Sequence, residues 1–270
     1  SVAACLLKDA GYEVVGMTMR LHSDDSDEFA PLNRGCCTID DYDDAKRVCQ
    51  SLDIPHYTLN FEQDFKTNVI DYFVSEYSKG RTPHPCIACN DKVKFAPLME
   101  KALAFGADYL ATGHYARVGK EGGVFRLLKA IDPLKDQSYV LYNLGQESLS
   151  RVLFPMGAYT KNRIRDIARE AGLLVADKKD SQEICFVPST GYRQFVAERT
   201  SPVPGEIVDT SGRVVGLHKG IESFTIGQRR GLGINTNEVL YVVGLDPDAH
   251  TVIVGSHEDL FSDFVMAGNV

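Results

Sequence analysis

What this chain lacks removes several classes of function. No apolar run approaches the roughly 20 residues needed to span a bilayer, so nothing in the 270 residues reads as a transmembrane helix. No signal-peptide pattern opens it. Seven cysteines is an odd count without the density of a disulfide-built secreted scaffold, which makes a reducing cytoplasm the expected compartment. Basic residues are outnumbered, 29 Lys and Arg against 37 Asp and Glu, for a net charge of −8. That argues against a uniformly basic nucleic-acid binder and leaves only a basic face on an acidic body. What is present, 44% hydrophobic and 24% charged residues, suits a soluble globular protein with a sizeable core and two domains.

The stretch around which the chain is organised is Gly80 to Phe95, GRTPHPCIACNDKVKF. Pro83 and Pro85 each fix φ and bias the preceding residue away from the helical region, so Thr82 to Pro85 is expected to be extended and stiff. Asn90 then offers an N-cap for an amphipathic helix beginning over Lys92 to Phe95. A thiol at a helix N-terminus sees the positive end of the macrodipole, which raises its thiolate fraction. The alternative reading of Cys86 and Cys89 is half of a zinc site or a redox pair. A closed zinc site needs two more ligands, yet no second C-x-x-C occurs: Cys36 and Cys37 are adjacent, and Cys185 stands alone.

Read in order, helices alternate with short apolar strands. Val2, Leu6 and Leu7 have helical spacing up to Gly11, and Glu13 to Met19 reads as a strand. A doubly wound domain normally begins with a strand, so a strand and loop are expected to be absent before this helix. Ser23 to Glu28, with Pro31, Asn33 and Gly35 after it, reads as an exposed loop. Helices are expected over Asp40 to Leu52, over Phe61 to Lys79 (Phe65, Val69, Tyr72, Phe73 and Tyr77 on one side) and over Phe95 to Phe105. Strands are expected over His56 to Leu59, Asp108 to Thr112 and Phe125 to Ile131. The alternation predicts a parallel α/β sheet, whose ligands gather beyond the carboxyl ends of the strands. Met19, Gly113 and His114 fall at such ends. Gly113 removes a side chain where a flat ligand can approach, and His114 can donate to a phosphate or base, or serve as an ordinary capping or core histidine.

Lys135, Asp136 and Gln137 follow a turn; Lys135 and Gln137 have the charge and donors to hold phosphate and base edges, with a solvated turn as the alternative. A helix over Tyr159 to Ala171 carries Lys161, Arg163, Arg165 and Arg169, either a solvated face or a contact for an RNA backbone. Cys185 ends the polar stretch Asp180 to Glu183 and its apolar follower; a lone cysteine is usually a small buried hydrophobe. From about Ser201 the composition changes. Pro202 and Pro204 read as a linker, Glu206 to Val215 as a hairpin turning at Ser211-Gly212, Ser223 to Leu232 as a short strand with a basic loop at Arg229 and Arg230. Leu240 to Leu245 and Thr251 to Val254 read as a second hairpin.

GRTPHPCIACNDKVKF, ATGHYAR, KDQSYVL, DSQEICF and SFTIGQRRGLG, in that order, resemble the tRNA-specific 2-thiouridylases across nearly the whole chain. The resemblance implies a parallel-sheet PP-loop ATP pyrophosphatase domain over 1–200, a small β-rich central domain over 201–256, and the truncated start of a C-terminal β-barrel over 257–270. It implies that the phosphate-binding SGGVDSS loop of the family lies just before this chain, with Ser1 as its last residue. Ser1, Met19 and Gly113 would then bind ATP, accompanied by Mg²⁺. His84, Pro85 and Cys86 would lie against the target base, and His114, Lys135, Asp136 and Gln137 would touch the tRNA. Cys185 would carry a persulfide supplied by a sulfur-donor protein, a cysteine desulfurase or sulfur relay, and Cys89 would be its partner nucleophile. Many members have Asp where Cys86 stands, which supplies a third thiol here. Cys86, Cys89 and Cys185 holding a [4Fe–4S] cluster is the runner-up, and a zinc-stabilised, non-catalytic RNA-binding module is the reading from another class.

Overall fold

The structure, a computed structural model, describes residues 1–21, 39–173, 176, 184–188, 191–236 and 238–268. The acidic loop expected at Ser23 to Glu28, the Cys36-Cys37 pair and Asp180 to Glu183 lie outside the described residues. The chain divides into two compact units, Ser1–Ile70 with Pro85–Phe186 and Asp71–His84 with Val187–Val270.

In the first unit, helix α1 (Val2–Asp9) buries Val2 and Cys5 and is followed by Gly11 in the left-handed region at φ 86°. Strand β1 (Gly16–Arg20) pairs in parallel with β2 (His56–Asn60), Gly16 opposite His56 through Arg20 opposite Asn60. Helix α2 (Ile39–Ser51) makes the crossover between them. It lies close to β1, because a Cβ at Gly16 would sit 2.4 Å from Cys49 Sγ.

The helix expected over 61–79 forms with a π turn inside it: α3 (Glu62–Phe65), the π turn Lys66–Asp71, then α4 (Tyr72–Ser78). The wider turn rotates the buried stripe. Phe65, Val69, Phe73 and Tyr77 are buried, whereas Tyr72, expected on the same side, is exposed. The chain passes from the first unit to the second within this π turn.

Around the cysteines the helix starts earlier than the sequence suggests. Helix α5 (Pro85–Cys89) runs directly into a π turn, Asn90–Lys94. Pro85 takes the first helical position, where its missing N–H is no loss and its fixed φ is already helical. The extended run therefore ends at His84, and Asn90 is a buried residue inside the helical run rather than an N-cap. The next helix, α6, is Pro97–Ala104, not 95–105, because the chain breaks at Ala96 and Pro97 restarts it. Gly106 follows α6 at φ 84°.

Strand β3 (Leu110–Ala111) pairs in parallel with β6 (Val152–Leu153). Between them lies a hairpin of which only the second strand is legible in sequence: β4 (Ala116–Glu121) and β5 (Val124–Lys129) meet across Gly122 and Gly123. Both glycines are left-handed, at φ 57° and 83°, which a two-residue hairpin turn requires. Helix α7 (Gln146–Arg151) leads into β6. Helix α8 (Lys161–Glu170) is capped by Thr160, whose side chain accepts from Arg163 N. Arg163 pairs with Glu170 and Arg169 with Asp166 on its exposed side, so part of its basic cluster is neutralised within the helix. Val2, Val48, Tyr115, Ala130, Ile164, Ala168 and Leu173 form a core that joins α1, α2, α8 and the hairpin segment.

The second unit contains α4, α9 (Tyr192–Ala197) and a four-stranded sheet. Its strands β7 (Gly205–Asp209), β8 (Val214–His218), β9 (Tyr241–Asp246) and β10 (Thr251–Gly255) lie in the order β8-β7-β10-β9. Both expected hairpins are present; β10 pairs in parallel with β7 and antiparallel with β9. Ile207, Ile221, Phe224, Leu232, Val242, Val252 and Val254 are its core. The short strand expected from Ser223 is absent among the described residues. A 3₁₀ turn, Ile221–Ser223, takes its first residue, and Gly227 at φ 86° diverts the extended path. Bonds from Gly227 N to Val242 O and from Val242 N to Gln228 O hold the loop to β9.

Gly157 fixes how β6 returns to the hairpin: a Cβ there would lie 1.6 Å from Ala116 O. Because the obstacle is backbone, Gly157→Ala should cost at least about 3 kcal/mol, the upper end of ordinary overpacking, and lower the urea midpoint. An unchanged midpoint would show that β4 and this turn are not so closely packed.

Candidate active site

Five of the expected residues line one cavity of about 910 Å³ in the first unit: Ser1, Met19, Gly113, His114 and Gln137. The cavity lies between the two parallel strand pairs, with β1 residues through Met19 on one side and Leu110 to Thr112 on the other. Its lining mixes apolar side chains such as Leu7, Val14, Leu98 and Leu110 with polar atoms from the Thr112–His114 corner, Gln137 and Lys94. A flat heterocycle with a charged tail is the kind of ligand such a lining accepts. At Gly113 an added Cβ would press on Met156 Sδ at 3.3 Å, so the glycine keeps this corner thin.

His114 is held rather than free. Its Nδ1 shares a 2.7 Å hydrogen bond with Thr112 Oγ1. Its ring lies 5.7 Å from the Phe95 ring and 6.1 Å from Phe154, centre to centre. Burial, and then the positive charge of Lys94, lower its pKa to about 3. The ring is therefore neutral at ordinary pH, a hydrogen-bonding group rather than a cation for phosphate.

The Lys135-Asp136-Gln137 turn is braced from inside. Asp136 accepts from Ala130 N at 2.8 Å and from Ser138 Oγ at 2.7 Å. Burial pushes its carboxyl up, but those bonds, one from Ser138 N and the charge of Lys129 outweigh it and hold the pKa below the usual range. Gln137 takes Tyr115 on both sides: Gln137 N donates to Tyr115 O at 2.8 Å, and Tyr115 N donates to Gln137 Oε1 at 2.9 Å. Lys135 is half-buried in the same turn.

The cysteines differ in exposure: Cys86 is exposed, Cys185 half-buried and Cys89 buried. Cys89 leads into the π turn Asn90–Lys94, which packs against α3. Phe186, next to Cys185, meets Phe65 of α3 edge-on at 5.7 Å. The two thiol-bearing segments thus share one short helix as their support. The π turn also connects Cys89 to the cavity, through Lys94 on its lining and Phe95 against His114. Pro85 is buried and Cys86 exposed in the first unit, whereas His84, exposed, belongs to the second.

Among the described residues no three or more His, Cys, Asp or Glu side chains are gathered as metal ligands would be. Among those described residues, Cys86, Cys89 and Cys185 are not gathered in that way either. Three contributors were not anticipated. Thr112 was legible as the hydroxyl two residues before His114; Lys94 and Asn90 became meaningful only once the helix was seen to start at Pro85.

The family model described as tRNA methyl transferase HUP domain matches residues 1–189, and that described as tRNA methyl transferase PRC-barrel domain matches residues 193–256. Together with the parallel strand pairs and the separate four-stranded sheet, they define a two-part protein, a nucleotide-binding HUP domain of the PP-loop superfamily followed by a β-rich PRC-barrel-like domain. The tRNA-specific 2-thiouridylase MnmA of Lachnoclostridium phytofermentans is 50% identical over 100% of this chain and 76% of its own length. That of Clostridium perfringens is 51% identical over 97% of the chain and 73% of its length. That of Carboxydothermus hydrogenoformans is 48% identical over 100% and 75%. The chain belongs to the tRNA-specific 2-thiouridylase family. No helix among the described residues is long and apolar enough to cross a membrane.

His114 supplies a pH test. Its pKa falls on folding, so its neutral form supports stability fully above about pH 6.5, and that support is lost as pH falls toward 3. By pH 5 the loss is about 2 kcal/mol, at roughly 1.4 kcal/mol per unit. Comparing urea midpoints of the parent and His114→Gln at pH 7 and 5 should show a steeper decline in the parent; an NMR titration of the ring near pH 6.5 would contradict it.

Proposed function

We propose that the chain is an ATP-dependent tRNA sulfurtransferase that replaces the 2-oxygen of a wobble uridine with sulfur. The observation that carries this reading is the connection in one unit between a nucleotide-sized cavity and a buried thiol, made by the short helical run from Cys89 to Phe95. The names of its half-identical relatives over the whole chain support the same substrate. The methyl-transferase wording of the family models supports tRNA equally but assigns no role to paired cysteines.

A pyrimidine carbonyl oxygen is a poor leaving group. In the proposed reaction the uridine 2-oxygen attacks the α-phosphorus of ATP, pyrophosphate leaves, and the base carries AMP on that oxygen. Ser1, Met19 and Gly113 would hold the adenine nucleotide. His114, as a neutral ring, would hydrogen-bond rather than neutralise, leaving charge to Lys94 and Lys135. His84, Pro85 and Cys86 would border the target base.

Cys185 would carry the sulfur as a persulfide loaded by a donor protein, a cysteine desulfurase or a sulfur relay. Attack by the Cys89 thiolate on Cys185 Sγ forms the Cys89–Cys185 disulfide and releases the outer sulfur as sulfide. The sulfide adds to C2 and AMP departs with the old oxygen. Two electrons from the cysteines thus reduce the persulfide sulfur, and an external thiol must reduce the disulfide before the next round.

Cys89→Ser and Cys185→Ser should each reduce thiolation of bulk tRNA to background while leaving tRNA affinity intact. The measurement is incorporated 2-thiouridine beside a binding isotherm. Full thiolation by either variant would refute these roles.

A further inference from the structure

The segment Ser138-Tyr139-Val140-Leu141-Tyr142 sorts its side chains sharply. Val140 and Leu141 are buried, while Tyr139 and Tyr142 on either side are 60% and 69% exposed. Two large aromatic residues this close together on a surface, each with an apolar ring and a polar tip, offer a contact for a partner.

The backbone that presents them is anchored. Asp136 holds Ser138, Gln137 holds Tyr115, and Ser138–Val140 forms a 3₁₀ turn. Asn90 ties this segment to the cysteine helix, its Nδ2 donating to Val140 O at 2.9 Å. Asn90 is 2% exposed, and its Oδ1 has no hydrogen-bond partner. A buried amide kept for a single bond implies that the join it makes is needed. Since Asn90 directly follows Cys89, the tyrosine pair is linked to the thiol by one residue and one hydrogen bond.

We propose that Tyr139 and Tyr142 form a stacking shelf for unpaired RNA nucleotides next to the uridine being modified, a role that rests on the tRNA reading above. Every base has a π face, so aromatic rings hold single-stranded RNA without reading its sequence. Lys135, in the adjoining turn, adds a positive charge for the backbone. An unpaired loop suits exposed tyrosine rings, and anchoring beforehand lowers the ordering cost of binding.

The test compares binding of an anticodon stem-loop RNA with that of a fully paired duplex of the same composition. The proteins are the parent, Tyr139→Phe/Tyr142→Phe, Tyr139→Ala/Tyr142→Ala and Tyr139→Leu/Tyr142→Leu. The Phe pair should bind the loop as the parent does, while the Ala and Leu pairs should bind it at least roughly 5-fold more weakly, the loss of a single stacked base, with duplex binding unchanged. The Leu pair keeps apolar bulk and separates stacking from misfolding of the Ala pair. Unchanged loop binding in the Ala and Leu pairs overturns the shelf and leaves the tRNA reading standing. Equal weakening for loop and duplex overturns it in favour of phosphate contacts. Failure of the parent to bind either RNA removes the tRNA reading and the shelf with it.

Discussion

Two hydrogen bonds between Gln137 and Tyr115 join the parts of the candidate site. One runs from Gln137 N to Tyr115 O, the other from Tyr115 N to Gln137 Oε1. Through them the corner carrying His114 and the turn carrying Lys135 and Asp136 become one piece. Tyr115 is itself a core residue, so the bonded pair is anchored to the apolar interior. Phe95 against His114 extends the same piece to the cysteine helix. The arrangement is a preorganised one, in which polar side chains fix loops from within and leave others to meet a ligand.

The electrostatics follow from burial. A neutral His114 avoids placing a second cation beside Lys94, which lowers its pKa. Asp136 keeps its charge because backbone and hydroxyl donors surround it. The graded exposure of the thiols suits the proposed sulfur transfer. A half-buried Cys185 is accessible for loading, and a buried Cys89 is sheltered from the oxidation that follows exposed thiolates.

Much of the fold was legible because its periodic segments are long and punctuated. The β1–β2 crossover, α8 and the two hairpins of the second unit follow from apolar spacing bounded by glycine, proline and N-cap residues. The failures share a physical origin in the backbone. A π turn exposes Tyr72 by rotating the helix under it, and an early start at Pro85 converts Asn90 from a cap into a buried tie. Strand β4, with Gly119 and Lys120 inside it, has weak strand propensity and forms because β5 pairs with it. Of the site, residue types were readable, but Thr112 behind His114 and Lys94 on the cavity lining depend on approaches between segments distant in sequence.

The sequence by itself determined an α/β chain with a β-rich second part, and through its ordered motifs the family to which it belongs. Motif residues survive as local patterns, and short-range periodicity is enough to read them. Only the tertiary structure decided that Gln137 clasps Tyr115, that Asn90 binds Val140, and that the Cys89 and Cys185 segments lean on one helix. These are pairings across 22, 50 and many more residues of chain. No local propensity encodes them; they arise when burial of the core brings distant backbone groups together that must then find partners.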